Sequence, residues 1–349
     1  MRTTKDTTTK DTKVPALRTR RLRVFRVLCV LRVLCGSFVA LGALPSLVQG
    51  QAQNFDTVEI KVLPVQGSVY MLVGAGGNLT VQTGKDGVLV VDTQYAPLSG
   101  KIVAAIRTLS SGPIRYIVNT HVHGDHTGGN ANIRKAGSTI AGGNVSFDIQ
   151  DAAEGAQIIA HDNVLKRMSR AGQQPPVPAG ALPTSTFIGD EKKLFFNGEG
   201  IHLLHQPAAH TDGDTIVFFR RSDVISAGDI FTTTNYPVID LGAGGTIDGI
   251  IDGLNHILDL IIPVYGQEGG TLVVPGHGRL SDMGDVINYR EMATIVRDRI
   301  QDLINKGMTI EQVKAARPTR DYDPVYGATT GPWTTEAFVE AVYRTLTKK

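Results

Sequence analysis

Three histidines and one aspartate lie within six residues of one another in the segment Asn-Thr-His-Val-His-Gly-Asp-His-Thr-Gly-Gly-Asn, residues 119–130. Their imidazole and carboxylate groups suit a borderline divalent ion such as Zn²⁺. Side chains two residues apart point to the same side of an extended chain. His121, His123 and Asp125 are therefore expected on one face, with His126 turned toward a second position. The cluster predicts a metal centre and leaves open whether it holds one ion or two.

Three further polar residues occur in similar surroundings later in the chain. His210, Asp229 and His277 each follow an apolar run and lie in glycine-containing segments, where glycine lets the backbone turn sharply beside a crowded centre. A single histidine is more often structural than a ligand, so each signal is weak alone. Together with the first cluster they supply seven ligands. Seven ligands suit two metal ions that share a carboxylate.

The remaining histidines have simpler interpretations. His161 and Asp162 are expected to start a helix, because the ligand set is complete without them. His202, His205 and His256 have no matching partners and are interpreted as structural.

The elements that must position the ligands follow from hydrophobic periodicity. Residues 114–119 form an apolar run that predicts a buried strand leading into the first cluster. Strands are also predicted at Val58–Val62, Val69–Val73, Leu79–Thr83, Val88–Val91, Thr139–Ala141, Leu194–Phe196, Ile201–Gln206, Thr215–Arg220, Val224–Ser226 and Thr271–Val274. Helices are predicted at Pro97–Leu109, Asn130–Lys135, Ile158–Arg170, Ile247–Ile262, Met283–Ile304 and Thr335–Leu346, and the Pro- and Gly-rich residues 172–183 as a surface loop beside the site. Two halves, each with strands followed by helices, predict an α/β fold in the form of a four-layer αββα sandwich.

The first 50 residues have the composition of a secretory signal peptide. They hold ten Lys or Arg against two Asp, followed by an apolar stretch and a small-residue exit. A membrane anchor is the alternative, but Arg32 inside the stretch disfavours it. Residues 51–349 are then predicted to form a single periplasmic or secreted domain with C-terminal helices. No stable membrane insertion is expected after cleavage.

Removing this leader changes the charge of the chain. The whole sequence has 35 Lys and Arg against 33 Asp and Glu, so subtracting ten and two leaves 25 against 31, or about minus six for residues 51–349. No basic stripe remains to favour nucleic acid as a partner, and a small-molecule substrate is expected instead. Both cysteines, Cys29 and Cys35, belong to the leader. The remaining chain therefore has no disulfide and no thiolate ligand.

The order His-x-His-x-Asp-His, then His, then Asp, then His, resembles the metallo-β-lactamase superfamily over roughly residues 58–299. The resemblance implies two zinc ions, iron or manganese being the alternatives, with a hydroxide between them as nucleophile. It implies a first ion held by His121, His123 and His210. The second ion would be held by Asp125, His126 and His277, and Asp229 would bridge the two ions.

The resemblance departs from β-lactamases that use a thiolate ligand. Asp229 stands where those enzymes have a Cys, and Thr232 stands where a Lys commonly binds the carboxylate of the drug. The predicted activity is hydrolysis of a small cyclic amide or ester. The alternatives are a lactonase, thioesterase or phosphodiesterase of the same fold, or an iron-loaded redox enzyme.

Two residues are predicted to act in catalysis. Asp125 is expected to orient the nucleophile and accept its proton while remaining a ligand. Tyr236, seven residues beyond Asp229, is predicted to polarise the carbonyl or protonate the leaving group, with simple packing as the alternative.

Overall fold

The computed structural model describes residues 54–139, 155–172, 176–262 and 269–348. The predicted signal peptide, both cysteines and most of the strand predicted at residues 139–141 lie outside these ranges. Residues Gln53–Lys349 cluster as one compact unit by their internal contacts. Among the described helices, none has the length and apolar character needed to cross a bilayer.

The first sheet contains seven strands whose spatial order is their order in the sequence. These are β1 (Lys61–Gln66), β2 (Val69–Val73), β3 (Leu79–Gly84), β4 (Gly87–Val91), β5 (Ile114–Val118), β6 (Gln157–His161) and β7 (Ser185–Phe187). Strands β1 to β4 pair antiparallel through short turns, and β4 to β7 pair in parallel. The parallel half needs crossover connections, and one of these carries the histidine cluster.

The second sheet contains five strands in the order β12-β11-β10-β9-β8. These are β8 (Glu191–Phe196), β9 (Glu199–Gln206), β10 (Asp214–Phe219), β11 (Val224–Ser226) and β12 (Leu272–Val274). Strands β8 to β11 are antiparallel, whereas β11 and β12 are parallel. The carboxyl ends of β11 and β12 therefore meet at one edge of the sheet.

Nine α-helices connect or cover the sheets within the described residues. They are α1 (Ser99–Leu109), α2 (Gly124–Thr127), α3 (Asn130–Lys135), α4 (Asp162–Met168), α5 (Ile247–Ile261), α6 (Met283–Asn305), α7 (Ile310–Ala316), α8 (Asp323–Tyr326) and α9 (Thr335–Thr347). Helix α6 begins with a capping box in which Asp282 and Asp285 satisfy each other's backbone N–H groups.

Three apolar clusters separate four layers. Helices α1 and α3 pack on the outer face of the first sheet through Ile102, Ile106 and Ile133. Residues such as Leu89 and Val217 fill the space between the sheets. A third cluster packs α5, α6 and α9 on the outer face of the second sheet. The predicted αββα sandwich is confirmed.

One predicted element is wrong in type. Residues 157–161 form the buried strand β6 rather than the first turns of a helix, and α4 begins only at Asp162. Ile158 and Ile159 are fully buried, one on each face of the sheet. A strand places them so because successive side chains alternate between faces. His161 caps α4 by accepting a hydrogen bond from the Asn163 N–H, as the sequence predicted.

Candidate metal centre

All seven predicted ligands come together at one end of the sandwich. The segment after β5 delivers the first four, and helix α2 places His126 one turn beyond His123. Asp229 follows β11 and His277 follows β12, so the parallel pairing of these strands puts the two residues side by side. His210 lies between β9 and β10.

The first ligand set contains His121, His123, His210 and Asp229, whose ligand atoms lie within 4.8 Å of one another. His210 Nε2 is 2.8 Å from His123 Nδ1. Asp229 Oδ2 is 3.7 Å from His210 Nε2 and 3.9 Å from His121 Nε2. These are three imidazole nitrogens and one carboxylate oxygen around a common point.

The second ligand set contains Asp125, His126 and His277. His277 Nε2 is 3.2 Å from Asp125 Oδ2 and 3.4 Å from His126 Nε2. The other oxygen of Asp229, Oδ1, lies 3.1 Å from His126 Nε2 and 3.5 Å from His277 Nε2. Asp229 therefore directs one oxygen at each set, which is the arrangement expected of a bridging carboxylate.

Hydrogen bonds on the far side of each imidazole show which nitrogens are left as lone pairs. His210 Nδ1 lies 2.7 Å from the carbonyl oxygen of Val238, and His123 Nε2 lies 2.9 Å from Asp240 Oδ2. Both partners are acceptors, so these nitrogens carry the protons of the neutral rings. The remaining nitrogens, His210 Nε2 and His123 Nδ1, then face each other as two lone pairs 2.8 Å apart. Two nitrogen lone pairs this close repel each other, and a cation bound by both nitrogens would remove that repulsion.

Two buried atoms at the centre support the same conclusion. His121 Nε2 and Asp229 Oδ1 are shielded from solvent and have no hydrogen-bond partner among the described residues. Buried polar atoms without partners are uncommon in folded proteins and call for a specific cause. The donors are nitrogen and oxygen with no sulfur, which suits zinc, iron or manganese. The residues present therefore fit a two-ion centre.

Two outer carboxylates that the sequence did not reveal hold these rings. Asp92 is buried at the end of β4, and its Oδ2 lies 2.8 Å from His126 Nδ1. Asp240 holds His123 in the same way and also accepts a hydrogen bond from the Ala243 N–H. Such outer partners fix the tautomer and orientation of a metal ligand. The one sequence signal for Asp92 was its position directly after a wholly apolar strand.

The loop that carries His277 is fixed by Asn78, another residue that the sequence did not indicate. Asn78 Nδ2 donates to the carbonyl oxygens of Pro275 and Gly278, on either side of the ligand. Two glycines leave the space that the ligands need. A Cβ atom on Gly77 would overlap the His126 ring, and one on Gly276 would overlap Asp229 Oδ1.

The electrostatics of the centre favour positive charge beside the carboxylates of Asp125 and Asp229. Burial lowers the pKa of His121 well below its usual range. For His277, burial lowers the pKa, but the neighbouring carboxylates of Asp125 and Asp229 outweigh it and raise the pKa to about 9. Burial opposes ionisation of Asp229, but His126 and His277 hold its pKa well below the usual range. A divalent ion supplies the positive charge that these carboxylates attract.

Tyr236 does not have the environment predicted for it. Its ring is buried and stacked on Phe338 of α9, with centroids 4.6 Å apart. Its hydroxyl lies 3.0 Å from Asp323 Oδ1 and 3.1 Å from the Thr319 carbonyl oxygen. Burial and the neighbouring Asp323 carboxylate raise its pKa, which makes proton release harder. The prediction of a catalytic Tyr236 is therefore corrected to a packing role in the C-terminal helical layer.

This correction predicts the behaviour of Tyr236→Phe. The variant should keep kcat/KM within about twofold of wild type, because the hydroxyl is hydrogen-bonded to Thr319 and Asp323 and contacts none of the seven predicted ligands. It should lower the free energy of unfolding by about 1 to 2 kcal/mol, because the buried Thr319 carbonyl and the partly buried Asp323 carboxylate lose the hydroxyl whose single proton they share. Steady-state kinetics and urea unfolding measure the two effects. A fall in kcat of about 10²-fold or more, as expected for a lost general acid, would restore the catalytic role.

Three of the other histidines contribute to packing. His161 and His205 stack face to face with ring centroids 3.6 Å apart, and burial together with the neighbouring imidazole lowers the pKa of His161 to about 4. His256 Nδ1 accepts a hydrogen bond from the Gln206 amide. These contacts agree with the structural roles expected for His205 and His256.

Residues 72–277 match the family described as the metallo-beta-lactamase superfamily, and this span includes all seven predicted ligands. The match covers more than half of the chain, so the protein belongs to this superfamily. The resemblance inferred from the ligand motifs is thereby confirmed.

Two curated proteins show weaker similarity. The chain is 25% identical over 181 residues to the 2,4-dinitroanisole O-demethylase subunit alpha of Nocardioides sp. (strain JS1661), covering 50% of this chain and 48% of that protein. It is 24% identical over 275 residues to the linear primary-alkylsulfatase of Pseudomonas sp. (strain ATCC 19151), covering 68% and 50%. The chain thus spans about half the length of each of these relatives.

Solved structures show the same fold. A stereoselective inverting sec-alkylsulfatase from Pseudomonas sp. superposes with a TM-score of 0.56 at 17% identity, covering 82% of this chain and 50% of that chain. A metallo-beta-lactamase from Pontibacter korlensis superposes with a TM-score of 0.51 at 14% identity, covering 68% and 99%. At these identities the likeness concerns the fold alone.

Proposed function

We propose that the protein is a zinc-dependent hydrolase that holds two ions and cleaves a small ester or cyclic amide. The observation that carries this proposal is the position of Asp229, which directs one carboxylate oxygen at each of two complete ligand sets. A single structural zinc site would be closed by four ligands and would need no second set beside it.

When bound, two such ions lower the pKa of a water molecule and polarise the bond under attack. The chain's own residues supply the remaining functions. Asp125 is only partly buried, and one of its oxygens lies beside His277. It is therefore placed to orient an incoming water and accept its proton. Asp92 and Asp240 keep His126 and His123 in the tautomers that bind metal.

The solvent exposure of the ligand side chains indicates the side from which a substrate would reach the centre. The side chains of His121, His126 and His210 are at most 1% exposed, whereas those of His123 and His277 are 31% and 32% exposed. The centre therefore opens to solvent between His123 and His277. A small substrate reaching that opening would meet both ligand sets at once.

A second candidate is cleavage of an alkyl sulfate ester or an aryl methyl ether. It is favoured by the two curated relatives, which are described as a linear primary-alkylsulfatase and an O-demethylase subunit. Because imidazole and carboxylate groups also bind iron and manganese, the same experiment must identify the bound metal.

The test is turnover by the purified full-length chain with and without a chelator. The panel is a phenyl ester, an acyl lactone, a penicillin, a thioester, an alkyl sulfate, 2,4-dinitroanisole and an activated phosphodiester. We expect chelator-sensitive hydrolysis of the ester or a cyclic substrate, and about two zinc ions per chain by elemental analysis. Faster turnover of the alkyl sulfate or the ether would select the second candidate. Turnover that survives complete metal removal would refute both candidates, and iron with redox activity would refute the zinc assignment.

A further inference from the structure

A groove of about 480 Å³ lies directly beside the metal centre. It runs between the segment 238–241 and helix α9. The lining residues are His123, Val238, Ile239, Asp240, Leu241, Trp333, Ala337, Glu340, Ala341 and Arg344. The groove lies in the size range of pockets that bind small organic ligands.

The space in the groove arises from two small side chains on α9. Ala337 and Ala341 are one turn apart on the helix, so they lie on the same face. Trp333, Val238 and Leu241 surround them with apolar surface. A longer side chain at either alanine position would occupy part of the volume that these residues leave open.

The charged groups at the far end of the groove are hydrogen-bonded to one another. Arg344 donates two hydrogen bonds to Glu340 Oε1, at 2.9 and 2.6 Å. Lys314 donates to the other oxygen of the same carboxylate at 2.6 Å. A ligand here therefore meets an apolar wall beside charged groups that already have partners, which suits an uncharged hydrocarbon tail.

The near end of the groove is the metal centre itself. His123 lines the groove, and its Nδ1 atom lies 2.8 Å from His210 Nε2 inside the first ligand set. Asp240 lines the groove as well and holds the other nitrogen of the same ring. A molecule whose reactive bond sits at the metals can therefore extend its remaining part into the groove.

We propose that this groove binds an uncharged alkyl or aryl tail of the substrate, so that the protein prefers esters with a hydrocarbon chain of several carbons. The proposal rests on the hydrolase function proposed above and names the substrate class of that same site. Each methylene group that enters the groove should tighten binding by about two- to fourfold until the groove is filled.

Trp333 provides a direct readout of binding, because it is the only tryptophan in the chain. We expect 1-decanol to produce a saturable change in Trp333 fluorescence in the purified full-length protein, and 1-butanol to bind at least tenfold more weakly. Ala337→Leu should weaken the response, because the larger side chain occupies part of the groove. Glu336→Leu adds an apolar side chain at an exposed neighbouring position of α9 outside the groove, and it should leave the response intact. A decanol response that is absent in the wild type, or unchanged in Ala337→Leu, would overturn the proposal.

Ester kinetics separate this proposal from the proposed function. For the wild type we expect kcat/KM to rise from the acetyl to the octanoyl ester of the same phenol. Ala337→Leu should lose this rise, and its circular dichroism spectrum should match that of the wild type, which shows that the variant is folded. Chelator-sensitive turnover that is equal for all chain lengths would refute the tail groove and leave the hydrolase standing. If no member of the substrate panel is cleaved but decanol still binds as expected, the hydrolase fails and the groove remains.

Discussion

Asp229→Asn is expected to lower kcat/KM by about 10³-fold, equivalent to about 4 kcal/mol of transition-state stabilisation. The two oxygens of Asp229 face different ligand sets, at 3.1 Å from His126 Nε2 and 3.7 Å from His210 Nε2. An asparagine has the same shape but no negative charge, and only one of its two terminal atoms can bind a cation. Bound metal should fall from about two ions per chain to about one or fewer. Elemental analysis after dialysis against a weak chelator measures the change.

Asp248→Asn is a matched control for this substitution. Asp248 is an exposed carboxylate on α5 that pairs with Arg297, away from both ligand sets. An exposed pair of this kind contributes little to stability, so this variant should retain metal content and activity. Circular dichroism should show that both variants are folded. If Asp229→Asn kept two ions with unchanged affinity, Asp229 would not bridge them and the two-ion mechanism would lose its main support.

Most of the fold could be predicted because its strongest signals are local. The long amphipathic helix α5 and the strands β2 to β5 were predicted at nearly their observed bounds, since each has a clear hydrophobic period or an apolar run, with a turn at its end. Strand β6 was mistaken for a helix because a short apolar run fits both structures. Pairing with β5 and β7, for example Tyr116 beside Gln157, makes this segment a strand. The sequence of the segment alone does not reveal that pairing.

The candidate site likewise contains residues that the sequence reveals and residues that only the folded structure reveals. The predicted ligands were visible because four of them are close in sequence and the other three follow apolar strands near glycine. Asp92 and Asp240 act only through the histidines they contact, which lie 34 and 117 residues away in the chain. Lone acidic residues at strand ends and in loops are common. Their roles therefore emerge only from the folded arrangement.

Tyr236 shows the opposite error, in which a position close to the ligands in sequence was taken to mean that its side chain faces them. The segment after Asp229 stays beside the centre, where Val238 and Asp240 contact His210 and His123, but the Tyr236 ring enters the cluster between the second sheet and helices α6 and α9. A buried aromatic ring contributes more to stability in such a cluster than at a solvated rim. Trp333 lies outside the span matched by the superfamily, so no motif marked it as part of a groove beside the site.

Asp92 links the two ligand sets through hydrogen bonds. Its carboxylate receives three donors, which are the Thr120 N–H at 2.8 Å, the Thr120 hydroxyl at 2.7 Å and His126 Nδ1 at 2.8 Å. Because the Thr120 hydroxyl donates its proton to Asp92, its oxygen is free to accept from His121 Nδ1, 3.0 Å away. His121 Nε2 and His126 Nε2 are both left as lone pairs. One outer carboxylate thus sets the tautomer of one ligand in each set.

Asp92→Asn should therefore weaken binding of both ions by about 10- to 100-fold each, whereas Asp240→Asn should affect mainly the first. An asparagine presents one oxygen and an NH₂ group to three donors, so at least one donor loses its acceptor. Asparagine tolerates the positive φ of 62° at this position, so backbone strain should not obscure the result. Zinc titration with a competing chelator measures both affinities. Asp86→Asn is the control, because its carboxylate accepts from the Asn197 N–H in a turn remote from the metals. Weakening confined to one ion would show that the Thr120 hydroxyl does not relay the effect of Asp92 to His121.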